Sequence, residues 1–241
     1  MPIHIVKQGE HISGITSDAG FSDFNIIWNH PKNAELKKLR DPHVLFPGDQ
    51  IFVPDKILKL ETGVTAKIHT FQVNEVPLFL RLRIRDLSEN PVTSSPYKLK
   101  LDMEDPARAG TTDGKGILLE KISPKVKEAK LDLQFTLPPA KKTAPPEIEE
   151  LHFDIKVGNL NPKTTLSGQQ ARLNNLGYFA GFAIEDTEQL RWAIEEFQCD
   201  HMGMKPVKVV PVITPESEDP MEKTGVQDQK TIDALEAEHG I

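Results

Sequence analysis

One cysteine, Cys199, occurs in 241 residues, so no disulfide can form within the chain and its redox compartment cannot be read from cysteine usage. No apolar run approaches the roughly 18–20 residues a membrane-spanning helix needs. The opening MPIHIVKQGEH has neither the basic start nor the apolar stretch of about 7–15 residues that makes a secretory signal. The expectation is therefore a protein that is cytoplasmic when made and has no membrane span. A basic footprint is also missing. The net charge is −7, and from Gly158 onward seven Lys/Arg face fourteen Asp/Glu, which leaves twenty-two of each elsewhere. That balance argues against nucleic acid as a partner. An acidic C-terminal part suits a basic protein partner better than a polyanion, although a solvated acidic helix surface is its commoner meaning.

Motifs of catalysis are scarce as well. The eight histidines (His4, His11, His30, His43, His69, His152, His201 and His239) are scattered, with none of the close pairing a zinc site uses. Cys199 follows Phe197-Gln198 in a helical pattern and reads as a packing thiol rather than a nucleophile. Gly110-Thr111-Thr112-Asp113-Gly114 lacks the spacing and the lysine of a phosphate-binding loop. Glu195 and Glu196 are neighbours on one helix and face different directions, unlike a glycosidase pair. The reading is a non-enzyme with no cofactor and no metal.

What is present divides into three segments. The length allows two or three small domains, and 38% hydrophobic with 27% charged residues is ordinary for a folded protein. In residues 1–56 a short strand at His4-Ile5-Val6 leads through Gly9-Glu10 into a helix over Ile12 to Gly20. A second helical stretch runs from Phe24 to Asn29. A strand at Gln50-Ile51-Phe52-Val53 follows the Pro47-Gly48 turn and ends at Pro54. Residues 65–157 alternate with a period of two: Leu78, Leu80, Leu82 and Ile84 oppose Phe79, Arg81, Arg83 and Arg85, and Tyr97-Leu99-Leu101, Leu131-Leu133-Phe135 and Leu151-Phe153-Ile155-Val157 repeat the pattern. With an Asp113-Gly114 turn between strands, this predicts an antiparallel β-sandwich. A Pro-rich stretch, LPPAKKTAPPEIEE, reads as extended and exposed. Residues 158–241 are helical: Ser167 and Gln170 have capping-box spacing, Gly177 suits a helix end, and Asp186 or Thr187 opens a second helix whose stripe is Leu190, Ala193, Ile194 and Phe197. Gly203 closes it, and Asp228 caps a third helix ended by Gly240.

Several strings resemble known families. Val6, Lys7, Gly9, Ile12 and Ile15, with Pro47, Gly48, Ile51, Val53 and Pro54, match the two ends of a LysM domain, and the long NHPKNAELKKLRDPHVLFPGD connection is similar to a LysM variant of proteins encoded beside type VI secretion spike genes. YKLKLDMEDPARAGTTDGKGILLEKI resembles the prealbumin-like middle domain of the same proteins. Gln170, Leu173, Leu176, Gly177, Tyr178, Ala193, Phe197, Gln198, Thr224, Gly225, Thr231 and Leu235 match the three-helix peptidoglycan-binding-like domain, with an insertion at 204–223 where that family has a short turn. The fold class these likenesses imply is α+β multidomain: an N-terminal LysM (βααβ), a central β-sandwich and a C-terminal helical bundle.

The resemblance carries functional expectations. A LysM sugar groove would place Gly9, Glu10, His11 and Ile12 on one side and Asn29, His30 and Pro31 on the other, with N-acetylglucosamine-containing glycan or peptidoglycan as ligand. Trp28 could add apolar contact, though core packing is the better reading of a helix tryptophan. Arg81, Arg83 and Arg85 form a row that could engage an acidic protein, and more often is a solvated face. The implied role is a non-catalytic accessory or adaptor of a type VI secretion spike and effector module, delivered without a signal peptide. The alternatives are a cell-wall binding subunit of a peptidoglycan hydrolase, or a cytoplasmic effector chaperone or immunity protein.

Overall fold

A computed structural model of the chain describes residues 3–57, 62–70, 77–86, 88–137, 147–182, 185, 187–204, 225 and 227–240. Asp186, Thr224, the centre of the Pro-rich stretch and nearly all of the 204–223 insertion lie outside the described residues. Among the described residues the protein is α+β, with six α-helices, eight strands and antiparallel pairing throughout. It divides into two compact units, Met1–Asn159 and Leu160–Ile241.

The first unit has two hydrophobic cores. Strand β1 (Ile3–Ile5) pairs with β2 (Gln50–Phe52), Ile3 opposite Phe52 and Ile5 opposite Gln50. Between them run α1 (Ile12–Asp18), α2 (Asn25–Trp28), a 3₁₀ turn at Pro31–Asn33 and α3 (Ala34–Leu39). Val6, Ile12, Ile15, Ile27, Trp28, Leu45 and Ile51 form their core. Each such aliphatic side chain contributes about 1.5–3 kcal/mol by leaving water. Trp28 is thus a core residue. The long Asn29–Asp49 connection holds the 3₁₀ turn and α3. No buried stripe marks α3, which has no buried residue, so apolar periodicity could not reveal it. Asn33 fixes this insertion: its Nδ2 donates to the Ile27 and Phe52 carbonyls at 2.8 and 2.9 Å, and its Oδ1 accepts from the Phe52 amide at 2.8 Å.

The second core joins two sheets. Strands β3 (Leu78–Arg83) and β6 (Ile117–Ile122) form one. The other has the order β5 (Arg108–Thr111), β4 (Pro96–Leu101), β7 (Glu128–Leu137), β8 (Glu147–Lys156). Tyr97, Leu99, Leu101, Ala129, Leu131 and Leu133 from the larger sheet and Leu118 and Ile122 from the smaller are buried together, with Leu78, Leu80 and Leu82 packed against them. The Asp113-Gly114 turn joins β5 to β6, which belong to different sheets, so it carries the chain across rather than closing a hairpin. Asp113 Oδ1 accepts from the Lys115 and Ile117 amides there.

The second unit packs α4 (Leu166–Leu176), α5 (Glu188–Met202) and α6 (Gln229–His239) around Leu173, Leu190, Ala193, Ile194, Phe197 and Leu235. The α4 cap is Thr165, whose Oγ1 accepts from the Gly168 amide at 3.1 Å. Ser167, the expected cap, instead lies inside the helix, where its Oγ accepts from Asn161 Nδ2. Thr187 and Asp228 cap α5 and α6, and Gly177, Gly203 and Gly240 end the three helices in the left-handed conformation, which glycine adopts without the Cβ penalty.

Candidate functional site

The Gly9–Ile12 segment is the turn into α1, and its side chains are committed locally. Glu10 Oε2 accepts from the Lys7 amide at 2.8 Å and meets His4 Nε2 at 2.7 Å. Partial burial pushes the Glu10 carboxyl up, but the Lys7 amide and the His4 contact outweigh it and hold the group below its usual range. His11 occupies the N-cap of α1, its Nδ1 accepting from the Gly14 amide at 3.4 Å, the task a Ser or Thr performs at that position. Ile12 is wholly buried.

Residues far along the chain close over this turn. Gly158 packs so near it that a Cβ would lie 2.8 Å from the Gly9 carbonyl oxygen. The Asn159 side chain faces Gly9, and Gln8 Nε2 donates to the Asn159 carbonyl at 3.3 Å. The Pro124 carbonyl approaches both Gly14 and the His11 ring. His11 is only 6% exposed. Burial, and then the nearby His43, lower its pKa against the opposing pull of the Pro124 carbonyl, so the ring is neutral in the folded protein at neutral pH.

Asn29, His30 and Pro31 have other neighbours. Asn29 is exposed, its Oδ1 accepting from Lys37 Nζ at 2.6 Å and its Nδ2 donating to Asn25 Oδ1. His30 caps the 3₁₀ turn through Nδ1, which accepts from the Lys32 amide, and its ring lies 4.6 Å from that of Phe52. Pro31 begins the turn and is exposed. The two halves of the expected groove thus address different surroundings: Gly9–Ile12 faces Pro124 and Gly158, and Asn29–Pro31 the Phe52 end of β2 and α3.

The arginine row is shorter than its sequence spacing. Arg81 and Arg83 lie opposite Leu119 and Ile117 on the outer face of β3 and β6, beside the half-exposed Phe79. Arg85 falls beyond β3, in an isolated bridge with Pro91, and is partly buried. Burial and the charges of Glu195, Asp200 and Glu196 raise the Cys199 thiol pKa, opposite to the activation a thiolate nucleophile needs. Among the described residues no cluster of three or more His, Cys, Asp or Glu could hold a metal ion, and no helix is long and apolar enough to cross a membrane.

A group of exposed aromatic residues carries no sequence motif. Phe179, Phe182 and Trp192 in the second unit are all more than half exposed, and the two phenylalanine rings stand edge to face at 5.8 Å. The position of Trp192 outside the Leu190, Ala193, Ile194 and Phe197 stripe was the available signal.

Known protein families, curated proteins and solved structures yield no match to the chain.

Proposed function

We propose that this chain is a non-catalytic adaptor of a type VI secretion spike and effector module, holding a protein partner rather than reading glycan through its N-terminal turn. The proposed layout is a LysM-type N-terminal part, a β-sandwich and a peptidoglycan-binding-like bundle, resting on the motif likenesses. The observation that carries the adaptor reading is the closure of the Gly9–Ile12 turn by Pro124, Gly158 and Asn159. A LysM-type groove would offer backbone amides at that turn to N-acetyl groups. Here the Glu10 amide donates to the Lys7 carbonyl at 3.1 Å, the Ile12 amide to the Pro42 carbonyl at 3.4 Å, and the Ile12 side chain is fully buried. Such folds also serve many unrelated roles, and one whose expected ligand edge is used for packing is suited to a scaffold.

The test is co-expression of the tagged full chain with a type VI secretion spike protein and an effector protein. Stoichiometric co-purification of a spike or effector protein is the expected result. Absence of any co-purifying partner, together with retention on peptidoglycan sacculi, would return the chain to the cell-wall binding alternative.

A further inference from the structure

We infer that the second unit carries a docking face for a basic, apolar-containing segment of a partner protein, centred on Trp192, Phe179 and Phe182. The face names the partner chemistry for the adaptor reading and rests on it.

The aromatic rings are presented by a loop that is fixed in place. Asn174 Oδ1 accepts from the Ala180 amide at 2.8 Å, Asn174 Nδ2 donates to the Gly181 carbonyl at 2.9 Å, and Gln170 Nε2 donates to the Ala180 carbonyl at 2.8 Å. Ala180 itself is fully buried, while Phe179 and Phe182 beside it are 59% and 84% exposed. A loop pinned by side-chain hydrogen bonds while its two largest residues face solvent loses little freedom when a partner lands on it. Gly181, at φ +77, lies against Gln189 of α5: a Cβ there would come within 2.8 Å of Gln189 Oε1. Trp192 is 60% exposed and stands three residues beyond Gln189, about one helical turn along the same side of α5. The loop and the tryptophan therefore flank one stretch of helix surface.

Charge decides what suits that surface. Glu188 and Glu196, four residues either side of Trp192, are both exposed and share its side of α5. Aromatic faces beside carboxylates favour Arg or Lys, through cation–π contact and ion pairing, together with apolar side chains that cover the rings. The same carboxylates repel an anionic membrane surface. A second copy of this acidic unit is disfavoured for the same reason.

The experiment uses the full chain, with Trp192 as reporter, since the other tryptophan, Trp28, is buried. The probes are a ten-residue alternating Lys–Leu peptide, its Glu–Leu counterpart and vesicles of anionic phospholipid. Expected is saturable, salt-sensitive binding of the Lys–Leu peptide that shifts tryptophan emission. Calorimetry should show that binding weaken about tenfold or more in Trp192→Ala and in Phe182→Ala, and by a smaller factor in Glu188→Gln and Glu196→Gln. These side chains are exposed, so unchanged circular dichroism is expected for each variant. Equal binding of both peptides, binding indifferent to Trp192→Ala, or preference for the vesicles would overturn the inference. Co-purification of an effector undiminished by Trp192→Ala would remove this face and leave the adaptor reading intact. Peptide binding without any co-purifying effector would do the reverse.

Discussion

Gly158 lies against the ring of His11, so close that a Cβ on Gly158 would sit 2.9 Å from His11 Cδ2. This contact spans most of the first unit in sequence and joins the end of β8 to the cap of α1. Gly158 also has φ +74, a conformation costly for any residue with a side chain. Gly158→Ala should destabilise the first unit by about 2–3 kcal/mol in urea denaturation. Gly114→Ala, where an added Cβ meets nothing within 4 Å, should stay within about 0.5 kcal/mol. Equal effects would mean that the contact is not formed.

Acid should weaken the fold through two histidines. Burial lowers the His11 pKa, and burial together with the Arg172 charge pushes His239 down to about 4. An unfolded histidine titrates near 6.5, so as pH falls from there toward 4 the unfolded chain takes up protons that the folded rings refuse. Stability from both groups is thus complete above about pH 6.5 and declines below it. Urea midpoints between pH 7 and 4 should fall less steeply in His11→Gln and in His239→Gln than in the parent chain.

Asn33 offers a sharper packing test. Its buried amide makes three backbone hydrogen bonds that tie the 3₁₀ turn to α2 and β2. Asn33→Ala leaves those backbone groups without their partner and should cost about 2–4 kcal/mol. Asn33→Asp keeps the acceptor and loses both donor bonds, so its loss should also be substantial. Hydrogen exchange should localise the opening to 25–52.

The Tyr97 phenol, within the second core of the first unit, donates to Glu120 Oε1 at 2.8 Å, and Arg108 Nη1 donates to Glu120 Oε2 at 3.1 Å. Burial and then Glu120 raise the Tyr97 pKa to about 12. The stabilisation is present below pH 10 and is lost as pH rises through 10 toward 12. Alkaline difference spectroscopy should show a phenol titrating late, and Tyr97→Phe should remove that phase.

Much of the scaffold is local, and so is readable. Period-two runs such as Leu78-Leu80-Leu82 and Leu131-Leu133 formed strands with those residues turned inward. Thr187, Asp228 and the terminal glycines marked helix ends, because a cap depends on side chains within three residues of it. The α3 helix was hidden because only Leu36 on it packs against the core, and that partly, while Thr165 caps α4 because its Oγ1 stands three residues before the Gly168 amide it accepts from. The surroundings of the expected sugar site were beyond reach for a different reason. Gly9 and Ile12 have the spacing of a LysM opening, but what covers that turn arrives from Pro124, Gly158 and Asn159, more than a hundred residues away. Nothing in the local pattern carries that information.

The most direct test of the adaptor account is sedimentation of the purified full chain with peptidoglycan sacculi, alongside Asn29→Ala/His30→Ala and a LysM protein known to bind glycan. The account predicts that the chain stays in the supernatant at concentrations where the control sediments, and that the double variant behaves as the parent. Sedimentation of the parent chain that is lost in the double variant would contradict it and restore glycan recognition at the Asn29–Pro31 edge.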